Sequence, residues 1–395
     1  MSNENSSILL VRDLLERAGC PIVARELPIA FASVDFNTLG FYVARVELYD
    51  DGSCTNGIFR ICCAVDVTKD RALTRAAFEA VERFCLAALS HHQSYLTKIA
   101  ESDIRLFRFE QGKCEGFEYS EEVLAIAAQS RSGVAYAAIG DVFAPYGRRD
   151  GNIGAPSTTN GVACHVGIAA AKRAAFSELY ERHKIMEAWF TADSRAVRLP
   201  ISEIRAGHST AFDIISSMGY ELHLLALESE DLPPVVLGFA IHTEGQFPAG
   251  VCAAAFKPEL QDSVGACLLE ILQTLVALAF SHEQFDKWVF NGKPLKTLEH
   301  NMFNFSATET IEIVRDWIFR FREDLPHPVG KIDVLDAADR FETAFVDITH
   351  PNWISEVRVF RSLSDHLYKL VVGNSSGEQR LLSSPTRVKI AHPFP

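Results

Sequence analysis

The chain has 395 residues, 48% hydrophobic and 23% charged, enough for a sizeable core in a soluble globular protein. A formal net charge of −13 argues against a nucleic-acid surface, which needs concentrated Lys and Arg. No apolar run reads as a bilayer span, and the polar N-terminus from Met1 to Ser7 is unlike a signal peptide. Nine scattered cysteines without zinc-finger spacing read as reduced, mostly buried thiols of a cytoplasmic protein.

In chain order, residues 7–18 form a short amphipathic helix stopped by Gly19 and Pro21. Residues 41–49 and 57–65 alternate as strands across an Asp50-Asp51-Gly52 turn, which predicts a hairpin. A helix follows from about Lys69 to Ser90, with His91-His92 placed as partners for its C-terminal dipole. Residues 103–109 and 131–143 read as strands, with a short helix near 120–129. The segment Gly147 to Gly154 carries Arg148 and Arg149 in a glycine-punctuated loop. It reads either as a solvated turn or as a flexible cover for phosphates. It is not a Walker A loop, and no Rossmann glycine fingerprint occurs.

A long helix then spans the segment up to Phe190, and a short one lies near 209–217. Strands are expected at 220–228, 234–242 and 249–256, and a helix from Pro258 to Phe280. Asn291 to Pro294 is a turn, and 306–322 reads as an amphipathic helix capped by Ser306. The last part mixes a helix near 334–343 with strands near 344–348, 356–362 and 366–372, before a Ser- and Pro-rich loop at 374–395. Hairpins without a clean βαβ series favour an α+β fold with mixed or antiparallel sheets.

Three helices carry acids in a recurring pattern. Thr-Thr-Asn160-Gly161 leads into a helix with Glu178, Glu181 and Arg182 at i, i+3 and i+4, on one face. Ala174, Ala175, Ile185 and Trp189 on that helix suit the core. Thr55-Asn56-Gly57 likewise precedes a helix with Glu79, Glu82 and Arg83 at the same spacing. A third helix puts Glu270 and Gln273 at i and i+3 in surroundings that are almost wholly apolar from Val264 to Phe280. One such helix alone reads more readily as a solvated face with an i, i+4 ion pair. Glu270, however, is hard to place on a surface, and a carboxylate among apolar residues needs a partner. Three such helices suggest one convergent site for Mg2+ and a polyphosphate.

The two Glu-x-x-Glu-Arg helices, each after an Asn-Gly, and the later Glu-x-x-Gln helix resemble the YcaO-domain ATP-dependent enzymes. The likeness runs from about residue 40 to the C-terminus and is strongest to the cyclodehydratase D subunits of thiazole/oxazole-modified microcin synthetases. Those subunits end in a proline-rich tail, as this chain does with His392-Pro393-Phe394-Pro395. The resemblance implies a YcaO-like fold whose helices form a nucleotide-binding cleft. Residues 1–40 are then an N-terminal segment, and 41–395 the cyclodehydratase domain with its tail.

The implied activity is ATP-dependent cyclodehydration of Cys, Ser or Thr in a ribosomally made precursor peptide, giving thiazolines or oxazolines by phosphorylation of the amide oxygen. Glu79, Glu82, Glu178, Glu181 and Glu270 are implied as Mg2+ holders. Arg83 and Arg182 would face phosphate oxygens or orient the acids, Gln273 would complete the ATP site, and Asn160 would join it from its loop. Pro395 would deliver its terminal carboxylate to the reacting peptide.

Two positions depart from the family pattern. Arg75 stands where a small Ser is usual, and could pair with Glu79 instead of contacting nucleotide. Ala266 stands where a basic residue is frequent, so a phosphate cation must come from elsewhere, with Lys257, Arg148 and Arg149 as candidates. The resemblance also implies a leader-binding partner subunit, a flavin-dependent azoline dehydrogenase, and neither nucleic acid nor membrane as a partner. Thioamide or amidine formation, or a non-catalytic scaffold role in the synthetase, are the other readings.

Overall fold

The computed structural model describes residues 6–27, 30–31, 34–35, 41–48, 61–87, 89–100, 122–143, 159–190, 195–293, 298–330 and 332–368. Helix α1 (Ser6–Arg17) buries Ile8, Val11, Leu14 and Leu15 along one face. Strand β1 (Ile22–Leu27) follows, then the paired two-residue strands β2 (Ala30–Phe31) and β3 (Val34–Asp35). β4 (Tyr42–Leu48) and β5 (Ile61–Asp66) pair antiparallel, as the hairpin expectation requires, with Tyr42 opposite Asp66 and Glu47 opposite Ile61; the turn at Asp50 lies outside the described residues. β1 adds to β4, completing a sheet ordered β1-β4-β5. Helix α2 (Lys69–Ala87) packs on this sheet through Ala72, Ala76, Ala80 and Phe84. Small residues at helical spacing let the helix approach the strands closely.

After a turn of 3-10 helix (Leu89–Tyr95), in which His92 is buried with its ring 5.3 Å from that of Phe143, come β6 (Leu96–Ala100), β7 (Glu122–Ser130) and β8 (Gly133–Ala138). The helix expected near 120–129 is therefore strand β7. Its alanines suit a helix locally, but pairing with β6, β8 and β14 below satisfies its backbone groups and outweighs propensity. Expected strand 103–109 lies outside the described residues. Then follow α3 (Ile139–Val142), β9 (Val162–His165) and the long α4 (Ile168–Phe190), which buries Ala175, Ile185 and Trp189 as expected and leaves Ala174 half-buried.

β10 (Ala196–Arg198), α5 (Ile201–Ile204) and α6 (Ser209–Ser217) lead to the meander β11 (Tyr220–Leu227), β12 (Val235–His242) and β13 (Gly250–Ala255). These strands form a four-stranded antiparallel sheet, β10-β11-β12-β13. Along β12 the pleat divides the core. Val235, Leu237, Phe239 and Ile241 face α4, whereas Val236 and Ala240 face α6 and α7 (Leu260–Phe280). α7 corrects one expectation, because its mean hydropathy of 1.9 over a window makes it long and apolar enough to cross a membrane by length and composition. Its apolar residues pack on β12 and β13, so here it serves as a core helix.

The C-terminal part contains α8 (His282–Phe290), α9 (Leu298–Ser306), α10 (Ile311–Phe319), α11 (Val334–Arg340), β14 (Ala344–Asp347) and β15 (Arg358–Leu363). α8 and α9 were not expected. Ser306 does not cap a helix running to residue 322. It ends α9, its hydroxyl donating to the carbonyls of Met302 and Gly250 at 2.9 and 3.2 Å, and α10 starts only after a 3-10 turn. Residues 366–368 of the last expected strand form no strand, and 369–372 lie outside the described residues. β14 and β15 complete a sheet ordered β6-β7-β14-β15-β9, with β8 on β7 and β9 at the edge. Cys20, Cys62, Cys85, Cys164, Cys252 and Cys267 are buried and outside any disulfide.

Candidate active site

Edge strand β9 is the frame on which the acids of two helices meet. Asn160 is buried and Gly161 has φ +73°, so the chain turns sharply into the strand. The Gly161 carbonyl accepts from Ser362 N–H at 2.7 Å, so residue 161 faces β15. By alternation, the N–H groups of Val162 and Cys164 point outward from the sheet edge, where no strand satisfies them. Carboxylates do so instead. Glu82 of α2 accepts from Cys164 N–H at 2.7 Å, and Glu178 of α4 accepts from Val162 N–H. Two acids from distant parts of the chain are thereby fixed two residues apart along one strand.

The electrostatic cost is visible in Glu82, Glu178, Glu181 and Glu270. Burial pushes Glu82 well above the usual carboxylate range, eased by the Cys164 N–H and aggravated by the nearby Glu178 and Glu79 charges. Burial raises Glu178 to about 7 against the pull of Arg182 and Arg361, and Glu270 adds to the rise. Glu181 rises to about 8, again chiefly through burial, opposed by Arg182 and aggravated by Glu270 and Glu178. Burial also raises Glu270, which feels the cations Arg182, Arg75 and Lys257. α2, α4 and α7 thus bring Glu79, Glu82, Glu178, Glu181 and Glu270 into one electrostatic group, as the convergent-site reading expects.

The arginines of the two motifs are spent on the acids. Arg83 donates through Nε to Glu79 Oε1 at 2.9 Å. Arg182 lies between Glu181 and Glu178, with Nε 3.8 and 4.0 Å from their oxygens. That Nε–H is buried and, among the described residues, meets no acceptor at hydrogen-bond distance. Arg75 does not pair with Glu79. It donates to the Val65 carbonyl at 2.9 Å and lies 3.5 Å from Asp66, whose buried carboxylate also holds Arg71 at 3.1 Å. Glu79 is already engaged by Arg83, and Asp66 at the end of β5 offers Arg75 a closer anion.

A cleft of about 680 Å³ opens beside this group. Glu181, Glu270, Asp66, Arg71, Arg75 and Lys257 line one charged part, and Phe41, His208, Gln261, Gly265 and Ala266, with the carboxylate of Asp262, line the rest. Lys257, the one described candidate for the missing cation, is therefore in place, whereas Arg148, Arg149 and Pro395 lie outside the described residues. Gln273 is half-buried on α7 one turn beyond Glu270 and does not line the cleft.

Among the described residues no three His, Cys, Asp or Glu side chains form a ready cage for a metal ion. Mg2+ does not need one, because it usually keeps waters and takes one or two carboxylates plus phosphate oxygens. Crowded, mutually repelling acids beside an unsatisfied buried guanidinium N–H fit a magnesium-bound polyphosphate, which brings both a cation and oxygen acceptors.

Asp66, Arg71 and Arg361 were missed in the sequence. Asp66 and Arg71 have a faint signal, an acid closing a strand just before a basic helix turn. Arg361 is fully buried beside Glu178 and Asp141, and burial lowers it to about 10. Its place in the apolar phase of β15, with Val357 and Val359, is the sole trace it leaves in the sequence.

Comparisons with known proteins give the family and the fold. The family model "YcaO cyclodehydratase, ATP- and Mg2+-binding" matches residues 64–364. No curated protein matches the sequence. Among solved structures, a heterocyclase in complex with substrate and cofactor is similar at TM-score 0.66 and 13% identity, over 95% of this chain and 54% of that one. This chain thus spans about half the length of that protein. YcaO from Methanopyrus kandleri, bound with AMPPCP and Mg2+, has TM-score 0.62 and 14% identity, covering 97% and 94% of the two chains. A chain of the E. coli microcin synthetase McbBCD complex has TM-score 0.65 and 10% identity, covering 94% and 96%. The chain belongs to the YcaO cyclodehydratase family, enzymes that bind ATP and Mg2+.

Proposed function

We propose that this protein uses ATP to convert Cys, Ser or Thr residues of a ribosomally made precursor peptide into thiazolines or oxazolines. The observation that carries this reading is the meeting of three acid-bearing helices at one cleft within the family match. The side-chain sulfur or oxygen of the peptide attacks the preceding carbonyl carbon, and the nucleophile's proton is lost. Bound ATP with Mg2+ supplies the phosphoryl group that makes the former amide oxygen a leaving phosphate. Elimination of that phosphate, with loss of the amide proton, leaves the C=N bond of the ring.

Apart from the terminal carboxylate, the residues of this chain position and neutralise rather than react. Glu181 and Glu270, which line the cleft, are the direct holders of Mg2+. Glu178 and Glu82, pinned to β9, and Glu79, held by Arg83, complete the acidic wall. Arg75 and Lys257 face the phosphates in place of a basic residue at Ala266, and Arg182 offers its Nε–H to a phosphate oxygen or a metal-bound water. Asn160 holds the turn that aims β9, and Gln273 supports Glu270 from the next turn. The Pro395 carboxylate accepts the proton shed during attack.

In this reading residues 41–395 are the catalytic domain, and residues 1–40 contribute α1 and β1 to its core. The solved relatives include a microcin synthetase complex, also seen with pro-MccB17 bound, which supports a multi-subunit synthetase. A partner subunit would bind the leader peptide and a flavin-dependent dehydrogenase would oxidise azolines to azoles, all in the cytoplasm, in the making of a microcin-like antibiotic. Mass spectrometry of a precursor peptide co-expressed with the synthetase tests this. Each azoline is a loss of one water, absent when Glu181→Gln replaces the native chain. An unmodified peptide with every subunit present would contradict it.

A further inference from the structure

α7 runs along the cleft and can be used as a ruler. Gln261, Gly265 and Leu269 form one i, i+4, i+8 row facing the space, and Asp262, Ala266 and Glu270 form the next. From Glu270 to Gln261 the rise is about 13 Å, at 1.5 Å per residue. Midway along it Gly265 and Ala266 are the smallest side chains available, so the floor there is flat and open. The charged end at Glu270, Glu181 and Arg75 suits phosphates and Mg2+. An elongated triphosphate held there must direct its nucleoside toward the opposite end.

At that end His208, just before α6, meets Gln261, with Nε2 to Oε1 at 3.2 Å. With its proton on Nε2, the imidazole donates to the amide oxygen and fixes which way the Gln261 amide points. Gly265 makes this contact possible, because a Cβ there would stand 2.9 Å from His208 Cε1. The oriented amide keeps one oxygen lone pair and its NH2 group for a ligand. Adenine offers the matching pair, an amino donor next to a ring-nitrogen acceptor, whereas guanine puts a carbonyl oxygen in place of the amino group.

Given the ATP reading of the cleft, on which this assignment rests, we propose that His208 and Gln261 read the nucleobase and select adenine. His208 is a positioning residue, and Gln261 makes the base contact.

The test uses the full-length protein with Mg2+, measuring affinities for ATP and GTP together with KM and kcat for hydrolysis. The native protein is expected to favour ATP by about 10- to 100-fold, the usual worth of one good bidentate base contact. Gln261→Ala should bring the ratio to within a few fold of unity, with the loss falling on KM for ATP rather than on kcat. Gly265→Ala needs only the ring of His208 to move, so it should give a smaller loss in the same direction without altering either polar residue. An undiminished ratio in both Gln261→Ala and Gly265→Ala, or no preference in the native protein, overturns the base assignment while leaving ATP binding intact. No binding of either nucleotide overturns the ATP reading itself.

Discussion

Neutralising Glu178 should stabilise the nucleotide-free protein, and only above mildly acidic pH. In the folded chain its carboxyl is raised from 4.5 to about 7, mainly by burial. Below pH 4.5 both folded and unfolded states hold the proton and the group is neutral to stability. As pH rises the unfolded chain ionises first, and stability falls until the folded carboxyl also ionises near 7. The full shift corresponds to about 3 kcal/mol. Glu178→Gln removes that penalty and keeps the oxygen that accepts from Val162 N–H. It also leaves Arg182 and Arg361 with less compensation, so a net gain of about 1–2 kcal/mol is expected. Thermal unfolding at steps from pH 5 to 9, without nucleotide, checks this. The variant should unfold a few degrees higher at pH 8.5 and converge with the native protein near pH 5. Saturating Mg2+ and ATP should reverse the order, because they stabilise only a protein that binds them. A variant less stable than the native chain at pH 8.5, or a difference independent of pH, would refute the burial argument.

Glu181→Gln should cut ATP turnover by orders of magnitude while circular dichroism shows the fold intact; normal hydrolysis would remove Glu181 from the site. Arg75→Met should weaken ATP binding about tenfold or more, the worth of one charge-assisted contact, and calorimetry would read it directly. An affinity within twofold of native would return that role to Lys257 alone. Deleting residues 393–395, or appending one Gly after Pro395, should abolish ring formation with ATP affinity kept. Unchanged ring formation in both would make the tail irrelevant to chemistry.

The helices that carry the site were legible because each is long, apolar on one face and free of interior Pro. α2, α4 and α7 fall within a few residues of their expected bounds. Glu270 was the clearest signal, since a carboxylate in an apolar helix has no cheap explanation. What could not be read was set by contacts distant in sequence. β7 is alanine-rich, and three neighbouring strands decide its conformation. Glu79 is the acid the sequence offers Arg75, but the anion nearest it in the fold, Asp66, sits on a strand. The long amphipathic stretch after Ser306 concealed a break, because its hydroxyl looks back to Met302 and Gly250. Most of all, nothing in the motifs tells that Glu82 and Glu178 share the edge of β9, which depends on which strand ends the sheet.

The central claim is that this cleft spends ATP to make the peptide's amide oxygen a leaving phosphate. The most direct measurement follows a heavy-oxygen label placed in that amide carbonyl during a single round of reaction with the reconstituted synthetase. The account predicts one labelled phosphate released per ring formed, and none with Glu181→Gln. Label recovered in water, with unlabelled phosphate released alongside the rings, would contradict it.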